Sequence, residues 1–228
     1  MLKLIAIALP IILGIISLRA SSVGDRKRLF SESTPLQEPI LKSLVKKISS
    51  VLEIPDIKIY VHEVKSFNGL ATPNGTIFIT RGTLDAFYSG KVTAEEISSI
   101  VAHELGHVSL GHSKKRMIDF STQNALRIIL SLAIGRLIPA VGTYIANFLT
   151  SMLASKLSRN DEYEADAYAA ALLTKAGIGV TPQISLLKKL DGLTGSAAAP
   201  PVWLMSHPKA EDRINAIIRL SENWETTT

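Results

Sequence analysis

Val101-Ala102-His103-Glu104-Leu105-Gly106-His107-Val108 decides how this chain is read, because two histidines four residues apart enclose a glutamate that directly follows the first. On a helix, positions i and i+4 project from one face, so both imidazoles can take corners of a tetrahedral Zn²⁺ site. Glu104 lies one residue round from His103, close to where a metal-bound water would sit, which is general-base geometry. The pattern implies metal-assisted hydrolysis.

The surrounding residues predict that helix. Thr93-Ala94-Glu95-Glu96 is a capping-box start, and Ile97, Ile100, Val101, Glu104 and Val108 follow at helical spacing. Glu104 falls in the middle of the apolar arc, with His103 and His107 together at its edge. A carboxylate facing a core is costly unless a charge or hydrogen bonds compensate, and a nearby divalent ion does so. Gly111 is placed to end the helix. His112 after it reads as a helix-end or surface residue, since the longer metzincin pattern needs Gly at 110 and His at 113, where this chain has Leu110 and Ser113.

A chain of 228 residues with 46% hydrophobic content can bury a core, and one domain behind an N-terminal segment is the simplest division. The absence of cysteine removes disulfides, thiolate metal ligands, a cysteine nucleophile and a lipidation site. Net charge is +5, yet only Arg26-Lys27-Arg28 and Lys114-Lys115-Arg116 form basic runs. No aromatic residues interleave with them, so a nucleic-acid surface is not expected.

Residues 4–18 are uncharged between Lys3 and Arg19, so residues 1–20 read as a signal peptide or an N-terminal membrane anchor. Residues 21–35 read as a polar linker and 36–228 as the folded domain. From Pro39 to Leu52, the residues Ile40, Leu44, Val45, Ile48, Val51 and Leu52 fit one helical face. Ile57, Ile59 and Val61 alternate as a strand, and residues 67–72 and 76–80 flank Pro73-Asn74-Gly75 as a hairpin. In residues 125–154, Leu130, Ile134, Leu137, Ile138, Val141, Ile145, Phe148 and Met152 repeat at helical spacing, which favours amphipathic packing over a span. Residues 137–154 are nevertheless uncharged and of membrane length.

Two histidines do not complete a site, and residues 158–174 offer what is missing. A helix ending before Gly177 puts Glu162, Ala165, Asp166, Ala169, Leu172 and Leu173 on one stripe, with Asp161 and Glu164 projecting away. The phase selects Glu162 and Asp166.

His103-Glu104-Leu105-Gly106-His107, Glu162-Tyr163-Glu164-Ala165-Asp166-Ala167, Ser206-His207-Pro208 and Arg213 together resemble the gluzincin peptidases. That group includes the HtpX heat-shock proteases, the CAAX prenyl endopeptidases, the Oma-type proteases and the periplasmic BepA and LoiP proteins. The resemblance covers residues 36–222 and implies a predominantly helical α+β, zincin-like domain. It implies one Zn²⁺ per chain on His103, His107 and Glu162, Glu104 as catalytic base, and Asp166 orienting a zinc histidine. By it, His207 stabilises the oxyanion or blocks the metal reversibly, with Arg213 contributing nearby. Asn68, Gly69, Leu70 and Ala71 match the family's edge strand, implying polypeptide substrates held through backbone hydrogen bonds. A cell-envelope, extracytoplasmic setting, with residues 1–20 touching the membrane, accompanies this reading.

Residues 181–191 read as a short helix with Thr181 as cap, and 192–206 as a loop that either closes over the cleft as a lid or anchors itself through Trp203, Leu204 and Met205. Two other classes stay open: a zinc-bound binding protein with a closed site, and a helical membrane-surface scaffold carrying a chance motif.

Overall fold

A computed structural model describes residues 27–112, 114–115, 122–123, 126–131, 134, 142–193 and 210–225. By contact the chain divides into two compact units, one of Leu29–Gly111 with Asp161–Thr228, the other of Met1–Arg28 with His112–Asn160. The fold is α+β and predominantly helical.

The first unit opens on a mixed sheet of four strands in the order β1-β2-β4-β3. These are β1 (Ser33–Pro35), β2 (Ile59–His62), β3 (Gly69–Ala71) and β4 (Ile77–Thr80). β4 is central and buried at every position, as its unbroken apolar Ile77-Phe78-Ile79 requires. It runs parallel to β2 and antiparallel to β3, the latter pair forming the expected hairpin with Gly75 at φ 82°. β1 lies inside the stretch expected as linker. Its three residues pair with β2 from Ser33↔His62 to Pro35↔Tyr60, and a strand this short carries no periodic signal of its own.

Helix α1 (Pro39–Val51) buries Leu41, Leu44, Val45 and Ile48. Ile40 was expected on that face but is 56% exposed, because Leu41 takes the inward place in the first turn. After α2 (Arg81–Tyr88) comes α3 (Ala94–Ser109), the histidine helix, which packs against α1, β3 and β4. The capping box forms in both directions: Glu96 N–H donates to Thr93 Oγ1 at 3.2 Å and Thr93 N–H to Glu96 Oε2 at 2.8 Å. Gly111, at φ 70°, follows its end. His112 is buried, not a surface residue.

Helix α4 (Gly142–Lys175) is one continuous element that begins in the other unit and carries the expected carboxylate stripe in this one. Ile178 N–H and Gly179 N–H close its end on Leu173 O, with Gly177 at φ 69°. In its first turns Ala146 and Thr150 are buried, whereas Phe148, expected to pack, is 64% exposed. Two residues along a helix is about 200°, so burying the small pair turns Phe148 outward. Residues 135–141 lie outside the described residues. No described helix is long and apolar enough to cross a membrane.

Helix α5 (Thr181–Leu193) packs on α3 and on α6 (Ala210–Glu225). Thr181, read as a cap, is already the first helical residue. Lys189 and Ser185 of α5 both reach the buried Glu96 carboxylate, at 2.7 and 2.6 Å, and so fasten α5 to the start of α3.

Helices α3 and α4 approach closely at Gly106. A Cβ on Gly106 would stand 2.9 Å from the carbonyl oxygen of Ala165 and 3.0 Å from its Cα. Backbone cannot move aside as a flexible side chain can, so only glycine fits.

Gly106→Ala is therefore a sharp test. Ala in an ordinary helix interior gains about 1 kcal/mol over Gly, but overpacking here should outweigh it by costing roughly 1–3 kcal/mol. Urea unfolding should show a lower midpoint; an unchanged or higher midpoint would contradict the packing described.

Candidate metal centre

The crossing at Gly106 brings the predicted side chains together. His103 and His107 stand three residues before and one after Gly106, and Glu162 and Asp166 stand likewise about Ala165. His103, His107 and Glu162 are all buried, and their ligand atoms lie within 4.8 Å of one another. His107 Nε2 is 3.1 Å from His103 Nε2, His103 Nε2 is 3.3 Å from Glu162 Oε2, and His107 Nε2 is 3.4 Å from Glu162 Oε1. A tetrahedral ion with bonds of about 2.0–2.1 Å needs donors roughly 3.3–3.4 Å apart. Converging lone pairs at these separations repel unless a cation lies among them, so the donor set fits a metal ion. Glu104, also buried, is on the same helix.

Behind His103 stands a second set of contacts. Its Nδ1 donates to Asp166 Oδ1 at 3.0 Å, leaving the Nε2 lone pair for the front of the site. Asp166 in turn is gripped by Arg213 of α6, Nε to Oδ2 at 2.6 Å and the second amino group to Oδ1 at 2.7 Å. Arg213 is 2% exposed, so this is a fully desolvated, two-pronged pair. Arg213, expected to contribute near the site, stands behind it and is joined to it through Asp166. Gln183 of α5, which sequence reasoning missed, donates to the Asp166 carbonyl at 3.2 Å and to Oδ1 at 3.4 Å.

Electrostatics follow from these contacts. Burial pushes the His103 imidazole down, but Asp166 and Glu162 outweigh it and lift it to about 9. Burial likewise opposes ionisation of Asp166, but Arg213 and His103 hold it far below the usual carboxylate range. The two buried carboxylates thus favour positive charge at His103, as a proton or as a metal ion beside it.

The stripe holds as read for Glu162, Ala165, Asp166, Ala169, Leu172 and Leu173, all buried, and Glu164 is exposed. Asp161, expected outward, is buried too. It precedes Ala165 by four residues and so shares its face. Of the expected edge strand, Gly69 packs directly on α3: a Cβ there would meet Ile100 Cγ2 at 2.3 Å and Glu104 Cγ at 3.9 Å. Asn68 is committed inward, its N–H to the hydroxyls of Thr80 and Thr83 and its carbonyl to Thr80 N–H. In an antiparallel ladder the hydrogen-bonding direction alternates, so the outward backbone groups belong to Gly69 and Ala71, with Gly69 N–H already taken by Asn68 Oδ1. His207 and the loop from Thr194 onward lie outside the described residues.

Removing Arg213 leaves a buried carboxylate without its main partner. Arg213→Leu should cost about 3–5 kcal/mol, and Arg213→Lys should recover only part because a single ammonium does not fork across both oxygens. The pair should also set an acid limit. With the folded-state pKa far below the ordinary 3.8, its stabilisation is complete well above that value, begins to fall as pH drops through it, and is fully lost only below the depressed folded-state pKa. Unfolding midpoints of the metal-free protein and its variants between pH 7 and pH 3 check both statements; equal midpoints in wild type and Arg213→Leu would contradict them.

Comparison with known proteins agrees with this geometry. Residues 35–221 match Peptidase family M48. Metalloprotease LoiP of Escherichia coli (strain K12) is 32% identical over 134 residues, 58% of this chain and 51% of LoiP. A protease HtpX homolog of Dictyoglomus thermophilum is 27% identical over an alignment of 231 positions, 85% of this chain and 73% of the relative. The mitochondrial metalloendopeptidase OMA1 of Danio rerio is 27% identical over 194, covering 80% of this chain and 40% of OMA1. The chain thus spans about half the length of LoiP and less of OMA1. Its match runs from the last residue of β1 into α6 and takes in His103, His107, Glu162, Asp166 and Arg213, and this chain belongs to peptidase family M48, a family of metalloproteases.

Proposed function

We propose that the chain is a zinc-dependent metalloendopeptidase in which His103, His107 and Glu162 hold one Zn²⁺ and Glu104 is the general base. The observation that carries this reading is the convergence of two imidazole nitrogens and a carboxylate at 3.1–3.4 Å in a buried site. Two nitrogen donors and one oxygen, with no cysteine in the chain, suit a catalytic zinc that keeps one position open. When bound, the ion lowers the pKa of a water beside it to about 7 and polarises the scissile carbonyl.

The chain's own groups do the rest. Glu104 takes a proton from the attacking water and returns it to the leaving amine nitrogen. Asp166 holds the proton on His103 Nδ1, keeping the imidazole in the tautomer whose Nε2 can bind metal. Arg213 keeps Asp166 ionised. An extended polypeptide adds to the free edge of β3 through the carbonyl of Gly69 and the N–H and carbonyl of Ala71, beside Glu104, and Leu70 between them contributes packing. Recognition through backbone groups favours broad specificity, as suits misfolded or membrane-associated proteins. His207 is assigned the oxyanion side or a reversible block of the metal. The peptidase domain is residues 36–228 together with β1, and the uncharged 4–18 segment supports export to, or anchoring in, the cell envelope.

Three variants test the assignment. Glu104→Gln should keep about one zinc per chain and lose roughly 10²–10⁴-fold in turnover of an unfolded fluorescent casein, while His103→Ala and Glu162→Ala should lose the zinc itself. Casein cleavage that survives in Glu104→Gln would refute the base assignment. Because the metal-free site holds a proton on His103 up to about 9, zinc uptake at pH 7.5 should release a proton and affinity should strengthen as pH rises toward 9. Titration calorimetry in buffers of different ionisation enthalpy reads this directly, and a pH-independent affinity would contradict it.

A further inference from the structure

Gln183 is a buried amide on an otherwise apolar helix face. It lies in the first turn of α5, where Leu186, Leu187 and Leu190 continue the same face into the core. Both groups that its nitrogen contacts, the Asp166 carbonyl and Asp166 Oδ1, can only accept, so the NH2 end must point at Asp166. Its oxygen is buried and has no hydrogen-bond partner among the described residues. Such a half-satisfied amide is a poor choice for stability, since an apolar side chain of the same shape would fill the place without a desolvated acceptor. Packing therefore does not account for glutamine here, and its contact with Asp166 does.

That contact sits at a decisive point. Asp166 Oδ1 receives three donors: His103 Nδ1 at 3.0 Å, Arg213 at 2.7 Å and Gln183 at 3.4 Å. Arg213 grips the carboxylate from α6, and Gln183 ties both the backbone and the side chain of Asp166 to α5. Helix α5 is itself fastened to the start of the histidine helix through Glu96, Ser185 and Lys189. Gln183 thus links the two helices that supply the metal ligands, and does so without adding charge to the site.

We propose that Gln183 is a positioning residue for the metal centre: its amide fixes Asp166, and through Asp166 the ring of His103, so that its loss weakens metal binding while leaving the fold intact. The inference rests on the zinc assignment above. Partners that orient a metal-binding histidine are worth about 10–100-fold in metal affinity, and Gln183 acts through such a partner, so a loss near the lower end, about 10-fold, is expected.

The test replaces Gln183 by Met, which keeps shape and removes the donor, and measures zinc affinity by chelator competition alongside the melting temperature of the metal-free protein. The two readouts should move in different directions: zinc affinity about 10-fold weaker, melting temperature unchanged or higher. Zinc affinity within twofold of wild type, or a melting temperature that falls along with affinity, would overturn the proposal, the second by making Gln183 a structural residue. Gln183→Glu, which keeps an acceptor and sets a second carboxylate against Asp166, should weaken zinc binding at least as much, and wild-type affinity in it would also overturn the proposal. In an Asp166→Asn background, Gln183→Met should change zinc affinity less than twofold, because the residue it acts through is already altered; a full additional loss would mean that Gln183 does not act through Asp166. A wild-type chain that binds no zinc would sink the metal assignment itself, whereas wild-type binding with an indifferent Gln183→Met sinks only the role of Gln183.

Discussion

The near-contact of two helix backbones at Gly106 and Ala165 is the constraint on which the site depends. A Cβ on Gly106 would stand only 2.9 Å from the Ala165 carbonyl, so the helices are closer here than any other residue in its place allows. Each helix then presents its functional residues at the same offsets about the crossing, three before and one after, so that one i, i+4 pair faces another. Had the axes stood a methyl group further apart, the imidazoles and the Glu162 carboxylate would no longer meet at the edge length of a metal tetrahedron. The glycine between the histidines is thus part of the site's geometry although it has no side chain to offer.

Electrostatics make that geometry costly without a cation. Glu162 and Asp166 are buried together with two histidines and one arginine, and Arg213 is spent on Asp166. Charge balance at the front of the site therefore falls to whatever occupies the space among His103, His107 and Glu162. The rear of the site is built to keep this so: Arg213 and Gln183 hold Asp166, and Asp166 fixes which nitrogen of His103 faces forward. A metal-binding front and a hydrogen-bonded rear are one arrangement, reached through four helices, α3 to α6, that bring together distant parts of the chain.

What could be read from the sequence is what short-range rules govern. The capping box at Thr93 and Glu96, the turn at Asn74-Gly75, the end of α4 before Gly177 and the inward stripe from Glu162 to Leu173 all follow from spacing and local chemistry, and each is present. The misreadings have physical causes of the same kind. Asp161 shares a face with Ala165 four residues on as well as lying beside Glu162, and Ile40 lost its place to Leu41 in the first turn of α1. β1 is too short to show a period. The contacts that Gln183 and Arg213 make with Asp166 depend on which helices pack together, and no local pattern carries that, although a lone amide on the Leu186, Leu187, Leu190 face is a visible anomaly.

The most direct test of the central claim is X-ray absorption at the zinc edge of the zinc-loaded full chain. Two imidazole nitrogens and a carboxylate oxygen at about 2.0–2.1 Å in a four-coordinate shell are what His103, His107 and Glu162 require. An oxygen-only shell, or one with a single imidazole, would contradict the site.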